Sequence, residues 1–221
     1  MSKDDDDDDI FSLGSEPKWL KCECGQLSAR VPCWECSGSP SGKSPPAHPR
    51  TPAGGIPPRF AWAHLSAPEL SKRIRHGDLK TLSGRILGAA NAVLGGPAGS
   101  GKTSMAVACL RMVGRRGVYI PAWRLGTARI QHPAGHGEAE IVELAMTSRV
   151  ALIDDLGSEA QTATSAVADV IYERHDEDLT TWITTGLSYE DLGARYGAGF
   201  LRRIVDGAAC VTLGKAKKEA A

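Results

Sequence analysis

From residue 60 onward, short apolar runs alternate with segments of helical periodicity. Apolar runs bounded by Gly and polar residues are typical of buried strands, and they occur here as "NAVLGG", "GVYIPA", "RVALIDDLG", "TTWITTGL" and "ACVTLG". Helical spacing is found in "SAPELSKRIRHG", "KTSMAVACLRMVGRR", "EAEIVELAMTS", "TATSAVADVIYERHDE", "SYEDLGARY" and "GAGFLRRIVDG". In the first helix, Ser66 is a candidate cap, Pro68 lies in the first turn and Gly77 is a stop signal. The alternation predicts an α/β domain with a parallel sheet sandwiched by helices.

The chain before residue 60 has a different composition. Residues 1–16 contain a run of aspartates and are predicted to be a disordered acidic tail. Residues 17–36 are rich in cysteine, and residues 37–59 form a Pro-, Ser- and Gly-rich linker that lacks the apolar side chains of a core. The predicted domain therefore spans residues 60–214, and residues 215–221 form a basic C-terminal tail.

Charge is unevenly distributed along the chain. The 26 basic residues equal the 26 acidic ones, but six aspartates lie in residues 4–9, so 20 acidic residues face 26 basic ones elsewhere. A mildly basic body is compatible with a nucleic-acid partner, and the acidic tail is equally explained as a solvated end. No apolar run approaches the ~20 residues of a membrane helix, and the acidic N-terminus is unlike a secretory signal. We expect no membrane association and a cytoplasmic, reducing compartment.

The stretch "GGPAGSGKTS" carries the strongest motif. Residues 96–103 fit the pattern G-x-x-x-x-G-K-S/T between a predicted strand and a predicted helix. Glycines allow backbone N–H groups to surround phosphate oxygens, Lys102 reaches the β- and γ-phosphates, and the Thr103 hydroxyl ligates Mg²⁺. The sequence thus predicts ATP and Mg²⁺ as cofactors. The predicted nucleotide-binding residues are Gly96, Pro97, Ala98, Gly99, Ser100, Gly101, Lys102, Thr103 and Ser104.

Two adjacent carboxylates end the strand "VALIDD". Neighbouring side chains of a strand point to opposite faces, so the two acids are expected to have different roles. Asp154 is predicted to hold Mg²⁺ through water, and Asp155 is predicted to be the general base that orients the attacking water. Glu159 follows closely and is a candidate support for this site. An isolated "DD" would be explained by strand-end charges, but the preceding phosphate loop favours catalysis.

Two weaker signals follow in the chain. Thr185 ends an apolar strand and is a candidate hydroxyl near the γ-phosphate, although Thr is also simply a good strand residue. Arg202 and Arg203 are candidates for an arginine finger, which stabilises the charge of a transition state on a neighbouring subunit. A surface salt bridge or a DNA phosphate contact explains the arginines equally well.

Together these segments resemble the AAA+ ATPases of the DnaC/IstB group. The resemblance rests on "GGPAGSGKTS", "ALIDDLGSE", "WITTGLSYEDLGARYGAGFLRRI" and "CVTLG", and it covers about residues 60–214. It implies a P-loop AAA+ fold with an additional strand, ATP-dependent homo-oligomers on DNA, and action on a second protein. This group includes helicase loaders of the DnaC type and transposition helpers of the IstB type.

The resemblance also implies residue roles. Lys102 and Thr103 match the phosphate loop, Asp154 and Asp155 match the acidic pair, and Arg203 matches the arginine finger, with Arg202 as the second candidate. Gly186 occupies the position of the group's polar sensor, which a glycine cannot replace, so Thr185 is the predicted substitute. Asp155 stands where many AAA+ proteins have Glu, which implies slow hydrolysis suited to a switch.

Four cysteines within residues 17–36 have the paired spacing of a zinc site. Zn²⁺ favours four soft ligands in a tetrahedron, and a metal would replace the core that so short a segment lacks. Free thiols and a redox pair remain alternatives. The predicted zinc ligands are Cys22, Cys24, Cys33 and Cys36. Cys109 and Cys210 fall in predicted core elements and are expected to be buried.

The function predicted from these residues is ATP hydrolysis by a protein that acts on DNA. We expect a DnaC-like replicative helicase loader with a replicative helicase as partner; the alternative is an IstB-like helper with a transposase as partner. A small-molecule P-loop kinase is less favoured because no arginine-rich lid is found, and a non-hydrolysing binding module is the remaining class. Single-stranded DNA is the expected nucleic-acid partner, and the candidate phosphate contacts are Lys72, Arg73, Arg75, Lys215, Lys217 and Lys218, which ordinary solvated surface explains equally.

Overall fold

The structure is a computed structural model that describes residues 20–21, 27–28, 55–74 and 78–214. The first four of these residues form two short strands, β1 (Leu20–Lys21) and β2 (Leu27–Ser28), which pair in antiparallel fashion. They fall within the cysteine-rich segment. The cysteines of that segment, the acidic tail, most of the linker and the basic C-terminal tail lie outside the described residues.

A five-stranded parallel sheet forms the centre of the domain. Its strands are β3 (Asn91–Gly95), β4 (Gly117–Pro121), β5 (Val150–Leu156), β6 (Thr180–Thr185) and β7 (Ala208–Thr212). They lie in the order β4-β5-β6-β3-β7, and every neighbouring pair is parallel. All five strands were predicted from the apolar runs, and the α/β fold with a parallel sheet is confirmed.

Helices connect the strands, as crossovers between parallel strands require. They are α1 (Pro68–Arg73), α2 (Leu79–Leu87), α3 (Lys102–Val113), α4 (Ala122–Gln131), α5 (Glu140–Thr147), α6 (Thr164–Asp176), α7 (Tyr189–Tyr196) and α8 (Ala198–Val205). Short 3₁₀ turns occur at Pro58–Phe60, Gly114–Arg116 and Gln161–Ala163. Within the described part of the chain, no helix has the length and apolar character needed to cross a bilayer.

The core has two halves, one on each face of the sheet. Alternate strand residues divide between them: Leu152 packs toward α1, α2 and α3, and Ile153 packs toward the helices of the other face. Trp182 and Ile183 of β6 divide in the same way, and all four side chains are buried. Since both faces are covered, the strands need apolar residues at consecutive positions, which explains their unbroken apolar runs.

Two helices, α2 and α4, were not predicted from the sequence, and α1 is shorter than predicted. Ala67 precedes the first turn of α1 in place of Ser66, and Asp78 caps α2 by accepting two backbone N–H groups. In α4 the large side chains of Trp123 and Ile130 are exposed, while Gly126 faces Ala163 with no room for a Cβ. The buried residues of α4 are Ala122, Leu125 and Gly126, so a single large apolar side chain marks its buried face and its hydrophobic periodicity is weak.

The prediction for the two core cysteines is only half correct. Cys109 is fully buried in α3, and burial raises the pKa of its thiol. Cys210 is exposed, although it lies in a strand that had been assigned to the core. Among the described strands, β7 pairs with β3 alone at the edge of the sheet, and Cys210 and Thr212, which share one face of β7, are both exposed.

A fully buried arginine joins two helices to the sheet. Arg174 of α6 donates hydrogen bonds to the carbonyl oxygens of Ala145 (2.6 Å) and Ser148 (2.7 Å), at the carboxyl end of α5. It also donates to the Thr180 carbonyl and to the Thr181 hydroxyl (2.9 Å), at the start of β6. The last carbonyls of a helix lack intrahelical partners and carry partial negative charge, so they suit a guanidinium. Burial lowers the pKa of Arg174 to about 10.

We predict that Arg174→Met lowers the free energy of unfolding by about 3 kcal/mol or more, because buried acceptors then lose their donor. Urea unfolding followed by circular dichroism measures this change. Arg124→Met is the matched control: Arg124 is exposed on α4, and its loss is expected to change stability by less than about 0.5 kcal/mol. Equal effects of the two substitutions would contradict the role given to Arg174.

Candidate nucleotide and magnesium site

The loop between β3 and α3 is shaped by glycines that no other residue can replace. Gly96 has φ +137°, and a Cβ there would lie 2.2 Å from the carbonyl oxygen of Leu213. Gly101 has φ +90°, and a Cβ there would lie 2.8 Å from the Ile74 side chain. The N–H of Leu213 in turn donates to the carbonyl of Gly95 at 2.9 Å, so the end of β7 packs directly against the loop. The backbone is consequently fixed in an inward curve.

The loop offers hydrogen-bond donors that have no described acceptor. Ala98, Gly99 and Gly101 donate no backbone hydrogen bond to any described residue. The Ser100 hydroxyl is buried and likewise has no partner among the described residues. The loop leads into the amino end of α3, where the helix dipole is positive. Free donors at a helix amino end fit the phosphate groups of a nucleotide.

Lys102, the first residue of α3, lies folded over this loop. Its Nζ donates to the carbonyl oxygens of Gly96 (2.8 Å) and Pro97 (2.9 Å). Desolvation lowers the pKa of Lys102, and the nearby charges of Asp155 and Asp154 partly oppose that effect. A partly desolvated ammonium held only by neutral carbonyls is placed to exchange them for phosphate oxygens.

The buried carboxylate of Asp154 collects hydroxyl groups from three elements. Its Oδ1 accepts from Thr103 of α3 (2.7 Å) and Thr184 of β6 (2.6 Å). Its Oδ2 accepts from Tyr119 of β4 (2.6 Å). Carboxylate and hydroxyl oxygens are the ligands that Mg²⁺ prefers, so Asp154 and Thr103 together fit the predicted metal.

Asp155 is exposed, whereas its neighbour Asp154 is buried. Strand β5 carries one extra residue here: Ile153 pairs with Ile183, but Leu156 pairs with Thr185. Asp155 adopts φ +58° at this bulge, and its N–H donates to the Thr184 hydroxyl at 2.9 Å. The separation of the two acids agrees with the expectation of different roles, and the bulge turns Asp155 outward.

Sequence reasoning missed Tyr119 and Thr184 as parts of the site. The hydroxyl of Thr185, the predicted sensor, donates to the Leu156 carbonyl (2.9 Å) and accepts from the Leu187 N–H (3.1 Å). Thr184, one residue earlier, points to Asp154 instead. The tandem "TT" at the end of β6 signalled a hydroxyl here, but only the pairing of β6 with β5 shows which of the two faces the acid. Burial and the Asp154 charge raise the pKa of Tyr119.

The described hydrogen bonds of Glu159 do not involve the acidic pair. Its buried carboxylate accepts from Arg195 Nε (3.1 Å), the Tyr196 hydroxyl and the Gly157 N–H (3.1 Å). These contacts tie the loop after β5 to α7. The geometry gives Glu159 a role in holding the loop after β5, and its predicted support of the site stays a prediction.

The two candidate finger residues have different environments. The Arg203 guanidinium lies 4.6 Å above the Tyr172 ring and donates to the Gly199 carbonyl at 3.3 Å. Arg202 is exposed, and its side chain forms no hydrogen bond or ion pair with any residue in the described ranges. The structure thus places Arg203 against its own chain and Arg202 at the surface.

The predicted zinc site and most candidate DNA contacts lie beyond the described residues. This applies to the ligands Cys22, Cys24, Cys33 and Cys36 and to the basic residues Arg75, Lys215, Lys217 and Lys218. In the part that is described, no cluster of three or more His, Cys, Asp or Glu side chains could hold a metal ion. Of the described basic residues, Arg73 stacks over Trp62 at 4.7 Å and Lys72 is exposed.

Comparison with known proteins gives both a family and a fold. The model of the family described as "IstB-like ATP binding protein" matches residues 64–209. The crystal structure of the DnaC helicase loader has a TM-score of 0.58 at 22% identity, over 71% of this chain and 99% of that one. The corresponding values for the crystal structure of DnaI are 0.57, 17%, 74% and 94%. A replication initiator DnaA bound to AMPPCP and single-stranded DNA gives 0.53, 15%, 66% and 50%. No curated protein sequence matches the chain.

We predict that replacing each of the adjacent threonines Thr184 and Thr185 by Val has similar effects on stability but different effects on ATP hydrolysis. Both hydroxyls are buried, so each substitution is expected to cost about 1–3 kcal/mol of stability in thermal or urea unfolding. Only Thr184→Val removes a donor from Asp154, and we expect only this variant to slow Mg²⁺-dependent ATP hydrolysis, by about tenfold. Slow hydrolysis in Thr185→Val with normal rates in Thr184→Val would instead support Thr185 as the sensor.

Proposed function

The chain belongs to the family of IstB-like ATP-binding proteins, in the DnaC/IstB group of AAA+ ATPases, and on that basis we propose that it is an ATPase that loads a replicative helicase onto DNA. The observation that carries the ATPase assignment is the 2.7 Å hydrogen bond from Thr103 to Asp154. It joins the phosphate loop to the acidic strand and brings together the two side chains that a nucleotide-bound Mg²⁺ needs.

Each residue of the site has a distinct role in this proposal. The loop N–H groups and Lys102 would bind the phosphates, and Thr103 and Asp154 would hold Mg²⁺. The metal neutralises charge on the phosphate oxygens when it is bound. Asp155 orients the attacking water and accepts its proton, since its carboxylate is exposed and forms no hydrogen bond with a described residue.

Hydrolysis is proposed to be slow and to increase when partner or DNA binds. Asp has one methylene fewer than Glu, and Asp155 is held in a left-handed conformation at the bulge. The shorter side chain limits how closely its carboxylate approaches the water. An ATPase that turns over slowly is suited to timing assembly and release on DNA.

A second subunit is proposed to complete the site. An arginine finger must reach the nucleotide of a neighbour. Arg203 matches the finger by its position in the family's sequence, but it must leave Tyr172 to act in this way. Arg202 is already exposed at the same end of α8. We propose that a homo-oligomer forms when ATP and DNA are bound and that one of these arginines enters the neighbouring site.

Two partners are compatible with the comparisons. The similarity to the DnaC helicase loader and to DnaI favours a replicative helicase. The family description favours the alternative, an IstB-like transposition helper whose partner is a transposase. Single-stranded DNA is the proposed nucleic acid, by analogy with the DnaA complex and because Lys72 adds exposed positive charge. A small-molecule kinase is less favoured, because the exposed Asp155 suits activation of water.

We predict that affinity capture from the source cell's lysate with ATP and Mg²⁺ recovers a hexameric replicative helicase. Lys102→Ala is the control: it removes the phosphate-binding ammonium, which contacts only two loop carbonyls in this structure, and it is expected to lose the partner while remaining folded. Recovery of a transposase would replace the loader by the helper. Recovery of neither would contradict both partner proposals.

We predict that Asp155→Asn lowers the ATP turnover rate by about 100-fold, the lower end of the range for general acid–base catalysis. Nucleotide affinity should stay within about twofold, because Asp155 forms no hydrogen bond through its side chain to a described residue. Turnover is measured by phosphate release and affinity with a fluorescent ATP analogue. An unchanged turnover rate would remove Asp155 from the proposed mechanism.

A further inference from the structure

The side chain of Tyr119 is buried beside the carboxylate of Asp154. Tyr119 lies in β4, which is an edge strand of the sheet, and only 1% of its surface is exposed. Its hydroxyl donates to Asp154 Oδ2 at 2.6 Å. A buried phenol hydroxyl without an acceptor would destabilise the fold, whereas Phe would fill the same space without that cost. The hydroxyl is therefore explained by its hydrogen bond to Asp154.

The bond to Tyr119 completes the constraint on the Asp154 carboxylate. Thr103 and Thr184 both donate to Oδ1, so without Tyr119 the second oxygen would have no donor among the described residues. With donors on both oxygens, rotation of the carboxylate about its terminal bond breaks at least one hydrogen bond. The orientation of the carboxylate is then fixed before any metal binds.

Tyr119 also packs against Phe60, one of the first residues of the domain. Its ring packs against Phe60, with the ring centroids 6.2 Å apart and the planes inclined at 53°. The carbonyl of Phe60 accepts a hydrogen bond from Arg111 of α3 at 3.3 Å. Helix α3 also carries Thr103. The same helix therefore positions both donors to Asp154: Thr103 directly, and Tyr119 through Phe60.

We propose that Tyr119 is a positioning residue that orients Asp154 toward the Mg²⁺ of the bound nucleotide. This inference rests on the proposed function, since it concerns the same site. Groups that hydrogen-bond to a metal-binding carboxylate fix its direction, and their loss commonly weakens metal binding by 10- to 100-fold. Tyr119 acts on the metal through Asp154 and does not contact it.

The test compares two Tyr→Phe variants that each remove a hydroxyl bonded to a buried carboxylate. Tyr119→Phe affects Asp154, and Tyr196→Phe affects Glu159, whose described hydrogen bonds do not involve the acidic pair. A fluorescent ATP analogue is bound in EDTA and then titrated with Mg²⁺. We expect Tyr119→Phe to need about tenfold more Mg²⁺ for half of the fluorescence change, with unchanged affinity in EDTA. Tyr196→Phe should titrate like the unaltered protein.

Three results would overturn the inference: an unchanged Mg²⁺ titration for Tyr119→Phe, an equal shift in both variants, or a loss of analogue binding in EDTA for Tyr119→Phe alone. Thermal melting of both variants shows whether they are folded at the assay temperature. If the unaltered protein binds no analogue, the proposed function fails. If it binds with a normal Mg²⁺ response that Tyr119→Phe retains, only the role of Tyr119 fails.

A measurement on the unaltered protein applies if Tyr119→Phe does not fold. The chain has four tyrosines, so Cζ labelling with ¹³C gives four NMR signals, and Tyr→Phe changes at the other three assign Tyr119. We expect the Tyr119 signal to shift when Mg²⁺ is added to the nucleotide-bound protein, because its acceptor Asp154 then also faces the cation. A signal that does not respond to Mg²⁺ would contradict the proposal.

Discussion

A buried carboxylate must be satisfied by hydrogen-bond donors, and the Asp154 carboxylate imposes this requirement on the centre of the molecule. Its three donors come from α3, β4 and β6, so the helix after the phosphate loop and two strands must all be in place before the charge is satisfied. Two of the same side chains, Asp154 and Thr103, form the proposed magnesium site. The free energy that holds these elements together and the geometry that the metal requires therefore depend on one cluster.

The two ends of the parallel strands differ in the groups that surround a buried charge. At the carboxyl ends of the strands, the described donors to the Asp154 carboxylate are all neutral hydroxyls. This arrangement leaves the negative charge of the carboxylate for a cation. At the amino ends of the strands, the Arg174 guanidinium donates to three carbonyl oxygens and one hydroxyl, so its hydrogen bonds are made within the chain. The difference is the one expected if the carboxyl end of the sheet binds the nucleotide, as proposed, and the amino end only holds the fold together.

Close packing couples the phosphate loop to the last strand of the sheet. The Leu213 carbonyl lies where a Cβ of residue 96 would be, and the Leu213 N–H bonds the Gly95 carbonyl. Strand β7 follows α8 directly, and α8 carries Arg202 and Arg203. Movement of α8 at a subunit interface would therefore displace β7 and, through it, the phosphate loop. By this route, oligomer assembly and nucleotide binding would influence each other.

The sequence by itself determined the five strands, most helices, the phosphate loop and the acidic strand end. These features depend on local patterns: apolar runs for buried strands, glycines at fixed spacing, and a lysine and threonine at the start of a helix. It missed α2, whose apolar positions are interrupted by Ser83 and Gly84, and α4, whose buried face carries a single large apolar residue, Leu125. Only the tertiary structure decided that Thr184 faces Asp154, that Tyr119 reaches it, that Arg203 stacks on Tyr172, and that Cys210 is exposed. The first two depend on which strands are neighbours, the third depends on the packing of α8 against α6, and the fourth depends on which strand lies at an edge. Residues that meet in these ways are far apart in the chain, so local patterns do not reveal their contacts.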